Sequence, residues 1–340
     1  MTYIVFTFVS CLVSIISVIG GFFYPKLAIR CSAIAVPNTR SLHVKITPRG
    51  GGIIIAISTL LGLLVLSIFQ IINFYQYLPI LIGGVIVSVI GFADDCFELS
   101  AKLRLLMQFG IATGLCILFA GKDTLNVGFV IVTIGWFKFP LTIFLLCWFY
   151  NLFNFIDGSD GMASSAVVYI TILFSIMAFI EHQPTSLLIM MLLGSATISF
   201  LIFNWPPAKI FLGDAGTNFC AYMISIVAML NIWQDGFNVW VWVNALGFYI
   251  SDTTFTTLIR IVKFPRTWYQ PHRSHAYQNL VYSFGHLKVL LLVWIFNLLW
   301  FLPFALLAYF FPRYSLLFFV ISYGVISPFI LKYGPLFKMS

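Results

Sequence analysis

The chain has 340 residues, of which 61% are hydrophobic and only 8% are charged. With a mean hydropathy of +1.04, this composition excludes a soluble domain and indicates a protein that crosses the membrane several times. The net charge of +8 is not gathered in a soluble basic domain. It therefore disfavours nucleic acid as a partner and indicates membrane orientation and phosphate binding instead.

Eleven apolar segments are long enough to cross a bilayer, which takes about 20 residues each. No soluble domain or internal repeat interrupts them, so we predict one all-α, polytopic membrane domain over residues 1–340. The segments lie near residues 3–24, 51–72, 77–93, 104–120, 139–156, 162–181, 186–204, 215–232, 238–258, 287–309 and 314–331.

The basic residues predict how these segments are oriented. Fifteen of the eighteen Lys and Arg residues fall in alternate loops on one side, and the other side has only Lys122, Lys138 and Arg313. Because positively charged loops stay in the cytoplasm, the N-terminus is predicted outside and the C-terminus inside. Two long loops, 25–50 and 259–286, are then cytoplasmic.

Two short stretches predict local structure. The run VGFVIVTIG between Gly121 and Phe139 is β-branched and too short to span, which favours a small hairpin or an interfacial strand. Three glycines, 50–52, stand at the entry to the second span. They would let the backbone approach a ligand or a neighbouring helix closely.

Five of the ten acidic residues fall at the ends of apolar segments on the predicted cytoplasmic side. A carboxylate beside a bilayer costs several kcal/mol unless it is hydrated, paired or bound to a cation. We therefore expect one divalent-metal site that gathers these acids. They are Asp94 and Asp95 in GFADDCFELS, Asp157 and Asp160 in NLFNFIDGSDGMA, and Asp214 in IFLGDAGTNF.

The adjacent carboxylates of Asp94 and Asp95 repel each other unless a cation offsets their charge. Lys102 and Arg104 follow within a few helical turns and could partly supply that cation. The alternative for this pair is a hydrated loop that carries ordinary surface charges.

The stretch NLFNFIDGSDG spaces Asn151, Asn154, Asp157 and Asp160 by three, so a continuous helix would place them along one face. The glycines permit a break there. Such oxygen ligands suit Mg²⁺ or Mn²⁺ and not zinc. Asp214, flanked by glycines at a helix start, could bind metal while nearby backbone N–H groups face phosphate oxygens, or it could simply cap the helix.

The second basic loop contains PHRSHAYQ, with His272 and His275 three residues apart. Zinc binding would need a cysteine or a further histidine nearby. Donation from Arg and His to pyrophosphate or sugar oxygens fits better. The alternative is a solvated loop charge. This loop alone joins cations to aromatic residues, so for a ligand that carries a sugar we expect it to select that sugar, with Trp268 or Tyr269 nearer the hexose.

Together these segments resemble the polyprenyl-phosphate N-acetylhexosamine-1-phosphate transferases, glycosyltransferase family 4. That family includes the phospho-MurNAc-pentapeptide translocase and the undecaprenyl-phosphate GlcNAc-1-phosphate transferase. The form HRSHAYQ looks more like the branch that initiates O-antigen or capsule synthesis. The matching stretches are SLHVKITPRGGG, FADDCFELSAKLRLLMQ, NLFNFIDGSDGMA, NWPPAKIFLGDAGT and PHRSHAYQ.

The resemblance implies a role for each matching residue. Asp94 and Asp95 would lie beside the lipid phosphate, with Lys102, His272 and His275 as further catalytic residues. Asn154 and Asp214 would hold Mg²⁺, for which Mn²⁺ could substitute. The residues expected to bind the nucleotide sugar are Lys45, Asp157, Asp160, Asn204, Phe211 and Arg273.

The implied reaction transfers a sugar 1-phosphate, an N-acetylhexosamine or its 6-deoxy derivative, from a UDP-sugar to undecaprenyl phosphate and releases UMP. It would start a cell-envelope polysaccharide at the cytoplasmic face of the bacterial inner membrane. The resemblance is also compatible with a homodimer.

Two other classes of protein compete with this enzyme. A polytopic transporter of an anionic or lipid-linked substrate would place its site near the bilayer midplane, often between repeated halves. Here the acids lie at one predicted side and no repeat is visible. A structural scaffold for a polysaccharide complex would not require five positioned acids.

Overall fold

The computed structural model describes residues 2–37, 42–43, 45–119, 121–233, 236–267, 269–270 and 272–336. Trp268, predicted to lie near the sugar, is outside these residues. The described chain is mainly α-helical, which confirms the predicted fold class. Its helices are α1 (Thr2–Arg30), α2 (Gly52–Ile68), α3 (Phe74–Phe97), α4 (Ala101–Phe119), α5 (Lys138–Ile156), α6 (Met162–Ile180), α7 (Pro184–Asn204), α8 (Gly213–Trp233), α9 (Val239–Ala245), α10 (Gly247–Lys263), α11 (Ala276–Phe284), α12 (His286–Phe296), α13 (Leu302–Phe310) and α14 (Ser315–Tyr333).

Short strands and short non-α helices complete the described secondary structure. These short helices are 3₁₀-helices at Gly135–Phe137 and Pro312–Tyr314 and a π-helix at Asn297–Phe301. The strands form two antiparallel pairs, and the second pair confirms the predicted hairpin. They are β1 (Ile34–Ala35) with β2 (Thr47–Pro48), and β3 (Thr124–Asn126) with β4 (Ile131–Thr133).

Within the described ranges, nine helices are long and apolar enough to cross a bilayer, against eleven predicted spans. The predicted span at 51–72 is the 17-residue helix α2. The predicted span at 238–258 is broken at Leu246 into α9 and α10. At the start of α10, a Cβ atom on Gly247 would lie 1.9 Å from the ring of Phe301, so the chain passes too close to that ring for any other residue.

The described residues fall into two compact units. The first is drawn from Met1–Val36, Lys45–Gly121 and Phe137–Leu230, and the second from Pro37–Val44, Lys122–Trp136 and Asn231–Ser340. In the first unit, α6 packs against α7, α1 against α2 and α7, and α4 against α5. In the second, α10 and α11 pack against α14, and α13 packs against α9 and α14. The prediction of a single domain over residues 1–340 stays a prediction.

The glycine run at the start of α2 brings two helices of the first unit together. A Cβ atom on Gly52 would lie only 2.0 Å from the Cα atom of Gly216 in α8. Of the two predicted uses of this run, close approach to a neighbouring helix is therefore confirmed. The contact places the residues just before α2 beside the start of α8.

Candidate active site

Backbone hydrogen bonds join the segment before α2 to the segment before α8. The N–H of Phe211 donates to the carbonyl of Pro48 over 2.8 Å, and the N–H of Gly52 donates to the carbonyl of Leu212 over 2.8 Å. Arg49 lies between these two bonds. Its side chain is therefore carried to the first turn of α8, where Asp214 stands.

Asp95 is buried in the last turn of α3 and caps α8 from outside that helix. Its two carboxylate oxygens accept hydrogen bonds from the backbone N–H groups of Asp214 and Ala215, each over 2.9 Å. Only glycine fits at position 213, since its φ is +72° and a Cβ atom would lie 2.6 Å from Asp95 Oδ1. The alternative of a hydrated loop at Asp94 and Asp95 is wrong, because both side chains are buried within a helix.

Arg49 bridges two of the acids. Its Nε lies 2.7 Å from Asp95 Oδ1, and its Nη2 lies 2.5 Å from Asp214 Oδ2. Burial alone would lower the pKa of Arg49, but the carboxylates of Asp95 and Asp214 outweigh burial and raise that pKa above its ordinary value. The guanidinium therefore stays charged and partly neutralises the acids around it.

The end of α5 supplies two more groups to the start of α8. The Asn154 amide donates to Asp214 Oδ1, and Asp157 Oδ2 accepts from the Gly213 N–H over 3.1 Å. Burial, and next the negative charge of Asp214, raise the pKa of Asp157 well above its ordinary value. The structure thus brings three of the five expected acids, Asp95, Asp157 and Asp214, together with Asn154.

The start of α8 differs from expectation in one respect. Its backbone N–H groups were predicted to face phosphate oxygens, but three of them bond to carboxylates. Asp157 accepts from Gly213, and Asp95 accepts from Asp214 and Ala215. The alternative in which Asp214 itself caps the helix is also wrong, because Asp95 supplies the cap while Asp214 faces Arg49 and Asn154.

Asp160 and Asn204 hold the loop that precedes α8. Asp160 Oδ2 accepts from the Ala208 N–H over 3.0 Å. The buried Asn204 side chain accepts from Ser164 Oγ over 2.7 Å and donates to the Ile210 carbonyl over 2.9 Å. The structure gives both residues a role in positioning this loop, and their contact with a uridine stays a prediction.

The cation that faces Asp94 is Arg104, whereas Lys102 is exposed. Asp94 Oδ1 accepts from the Leu99 N–H over 2.8 Å, and Asp94 Oδ2 lies 3.6 Å from Arg104 Nη1. Positions 102 and 104 are separated by about 200° around α4, because each residue turns an α-helix by about 100°. Only one of the two can therefore face α3. The predicted catalytic role of Lys102 has no contact to support it among the described residues.

The remaining predicted residues of the first unit lie in the segments before α2 and α8 and on α5. Lys45 is exposed, just before β2, and Phe211 is partly exposed in the loop before α8. Asn151 turns away from the acids, since its amide donates to Gln108 Oε1 over 2.9 Å. The three-residue spacing does not give one continuous face, because α5 ends at Ile156.

The histidine segment belongs to the second unit. His275 is buried directly before α11, and its ring lies between those of His272 and Tyr277, with centroid distances of 5.1 and 5.9 Å. Burial, and next His275 and Arg260, lower the pKa of His272 to about 3, so His272 is neutral at physiological pH. A buried, stacked His275 excludes the alternative of a solvated loop charge for this residue.

Three structural partners of these segments were not predicted. Arg49 was counted only as a loop cation. Asp252, buried in α10, accepts from the Ala276 N–H over 2.8 Å and lies 3.8 Å from His275 Nδ1. Arg260, two turns further along α10, donates to Ser274 Oγ over 3.2 Å. An isolated acid eight residues before an arginine in an apolar helix is the sequence signal that could have found this pair.

The donor set around Asp214 fits a hard divalent cation. No group of three or more His, Cys, Asp or Glu side chains is arranged to hold a metal within the described ranges. Mg²⁺, however, commonly uses one or two carboxylates and keeps several waters. Half a turn of the Asn154 amide would present its oxygen beside that of Asp214. The Arg49 guanidinium already shows that this place favours positive charge.

A family model and several known proteins match this chain. Residues 77–232 match the model of glycosyl transferase family 4. A Bacillus subtilis protein named probable undecaprenyl-phosphate N-acetylglucosaminyl 1-phosphate transferase is 33% identical over 265 residues, which cover 76% of this chain and 72% of that protein. Phospho-N-acetylmuramoyl-pentapeptide-transferase of Streptococcus suis is 32% identical over 193 residues, 53% of this chain and 57% of that enzyme.

The chain is therefore a multi-pass membrane protein of the glycosyl transferase family 4. The matched region contains α3 to α8, and hence the acidic residues gathered around Asp214.

Proposed function

We propose that this protein transfers a sugar 1-phosphate from a UDP-sugar to undecaprenyl phosphate and releases UMP. The sugar would be an N-acetylhexosamine or its 6-deoxy derivative, and the product would start an O-antigen, a capsule or a related glycan. The observation that carries the proposal is the cluster of Asp95, Arg49, Asp214 and Asn154 at the ends of apolar helices. The relatives named above support the reaction class.

The proposed step balances without ATP or water. An oxygen of the lipid phosphate attacks the phosphorus that carries the sugar, and the bond from that phosphorus to the UMP oxygen breaks. One phosphoanhydride replaces another. Since both reactants are anions, the catalytic task is to offset charge and to fix in-line geometry.

Different residues of the first unit would offset the charge, hold the metal and fix the geometry. Asp94, whose Oδ2 accepts no hydrogen bond within the described chain, would orient or deprotonate the lipid phosphate. Asp214 and Asn154 would hold Mg²⁺ or Mn²⁺, which when bound would neutralise the diphosphate and stabilise the departing UMP. Asp95 keeps α8, and with it Asp214, in place. Phe211 would stack on the uracil.

The remaining assignments follow the resemblance and stay predictions. Lys45, Asp157, Asp160 and Asn204 would lie near the nucleotide, and the histidine segment would bind the diphosphate and select the sugar. One substrate is a lipid and the other cytosolic, which supports an active site at the cytoplasmic face of the bacterial inner membrane. A homodimer is compatible with this proposal.

The test is UMP release by the purified protein in lipid nanodiscs. Undecaprenyl phosphate, Mg²⁺ and a panel of UDP-sugars would be supplied, and the lipid product identified by mass spectrometry. We expect UMP and an undecaprenyl-diphospho-sugar with at least one N-acetylated UDP-sugar, and neither product without the lipid. A folded preparation that releases no UMP with any UDP-sugar would overturn the proposal. Passage of substrate across the bilayer of proteoliposomes that contain the same protein, without UMP release, would favour the transporter alternative.

A further inference from the structure

Arg49 is a cation built into the acidic cluster. The backbone at this residue is held on both sides, since its N–H donates to the Ala33 carbonyl over 2.9 Å and its carbonyl accepts from Tyr24 OH over 2.5 Å. The side chain remains 30% exposed, whereas those of Asp95 and Asp214 are 0% and 4% exposed. The guanidinium is thus the part of this ion-pair network that is free to turn toward solvent.

The guanidinium occupies the place that a metal ion would need. Its Nη2 contacts Asp214 Oδ2, while Asn154 contacts the other oxygen of the same carboxylate. A cation bound at Asp214 would lie within a few ångströms of Nη2, and two positive charges at that distance repel strongly. Arg49 and a divalent cation therefore compete for Asp214.

Arg49 has donors to spare for an anion. A guanidinium carries five N–H donors in a planar fork that matches phosphate oxygens, and the two acids engage it through Nε and Nη2. If the Asp95 contact is kept and the Asp214 contact released, both terminal nitrogens of the guanidinium become available to an anion. A diphosphate that binds beside Asp214 would be such an anion.

We propose that Arg49 is an exchangeable counter-ion: it neutralises Asp214 in the free protein, leaves it when the divalent cation binds, and then donates to the diphosphate of the nucleotide sugar. The inference rests on the proposed function for the identity of the anion. Arg49 would then bind substrate, in addition to being one of the basic residues that predict the orientation of the chain in the membrane.

The exchange predicts two effects of opposite sign. Without the guanidinium, nothing competes with the cation at Asp214, so metal affinity should rise. The diphosphate loses a charge-assisted donor, so nucleotide affinity should fall. A purely structural role would lower both affinities, because a distorted site binds neither ligand well.

The experiment uses the full-length protein in detergent micelles, with Mn²⁺ binding followed by electron paramagnetic resonance and UDP binding by calorimetry at saturating Mg²⁺. For Arg49→Gln we expect Mn²⁺ to bind about fivefold more tightly, because the ion no longer has to displace the guanidinium from Asp214, an attraction between opposite unit charges about 4 Å apart in water. UDP should bind at least about tenfold more weakly, as for one lost hydrogen bond to a charged group. Arg49→Lys, which keeps the charge, should retain the wild-type affinity for Mn²⁺.

Arg30→Gln is the matched control, since Arg30 is an exposed cation at the end of α1, and it should change neither affinity. Unchanged or weaker Mn²⁺ binding by a monodisperse Arg49→Gln protein would overturn the exchange, as would unchanged UDP binding. If Arg49→Gln misfolds, the UDP affinity of Arg49→Lys tests the proposal. That affinity should fall, because a lysine lacks the planar fork. An unchanged UDP affinity would overturn the exchange. UMP release by the wild type, measured on the same preparation, reports separately on the proposed function.

Discussion

Asp95 and Asp94 are neighbours in sequence, but the structure predicts different consequences when each loses its charge. Asp95 accepts two backbone N–H bonds at the start of α8 and faces Arg49 Nε. In Asp95→Asn, the single amide oxygen can keep one of these three contacts well. The new NH₂ group would face a donor, which leaves at least one buried N–H without an acceptor.

The size of the loss follows from these contacts. A hydrogen bond to a charged group contributes about 1.5–3 kcal/mol, and removing one partner of a buried ion pair costs about 3–5 kcal/mol. The second figure must be reduced here, because Arg49 is 30% exposed and keeps Asp214 as a partner. We expect Asp95→Asn to lower the free energy of unfolding by about 3 kcal/mol.

Asp94→Asn is the matched control. Its one backbone bond, from the Leu99 N–H, can be kept by the amide oxygen. Its ion pair with a 40% exposed Arg104 side chain spans 3.6 Å, and such partly exposed pairs contribute about 1 kcal/mol or less. The control should therefore stay close to the wild type in stability while losing turnover, since Asp94 would act on the lipid phosphate.

Unfolding of both variants in mixed detergent micelles, followed by circular dichroism, measures the two free energies. Turnover is measured in parallel as UMP release. Equal stability of the two variants, or a wild-type stability for Asp95→Asn, would refute the assignment of Asp95 as the cap of α8. Full activity of a folded Asp94→Asn protein would refute the catalytic assignment of Asp94.

Four further predictions follow from the site and its surroundings. Asp214→Asn should lower UMP release by about a thousandfold or more, because the metal ion that would neutralise the diphosphate loses its carboxylate ligand. Near-normal turnover with Mg²⁺ would contradict the ligand assignment. In a cysteine-free background, single cysteines at exposed positions near Ser159 and Ser274, such as 158 and 269, should react with an impermeant maleimide only from the cytoplasmic side, and periplasmic labelling would contradict the predicted topology. The pKa of His272 is about 3 in the folded chain and about 6.5 in an unfolded chain. As the pH falls from about 6.5 toward about 3, the unfolded state therefore binds a proton that the folded state does not, and the protein loses stability. His272→Asn removes this group, so the variant should lose less stability over the same pH range. Asp252→Asn should lower the thermal midpoint through a loss of about 1–3 kcal/mol, because the N–H groups of Ala276 and Tyr277 lose their carboxylate; an unchanged midpoint would show that this cap is dispensable.

Features governed by local sequence were predictable. Length and hydropathy predicted the membrane helices, and a glycine-flanked acid predicted the start of α8. The β-branched run predicted the hairpin of β3 and β4. Each depends on neighbours within a few residues, so a pattern in the sequence is enough to find it.

Features governed by distant contacts were not predictable in the same way. Arg49 meets Asp214 across 165 positions of sequence, and no local spacing indicates that pairing. Hydropathy predicted neither the boundary between α9 and α10 at Leu246 nor the close contact between Gly247 and the ring of Phe301. Of the two cations predicted to offset Asp94, the structure pairs only Arg104 with it, and that choice depends on which side of α4 faces α3.

The start of α8 gives a physical reason why the proposed reaction would need cations at this site. A helix start commonly binds phosphate through its free N–H groups and its positive end. Here the N–H groups of Gly213, Asp214 and Ala215 are already bonded to carboxylates, so the helix end is neutralised before any substrate arrives. In the proposed reaction, a diphosphate would therefore have to be bound by Arg49 and by a divalent cation. The same carboxylates hold Asp214 at a fixed place, so the start of α8 would not bind phosphate directly but would position Asp214 as the proposed metal ligand.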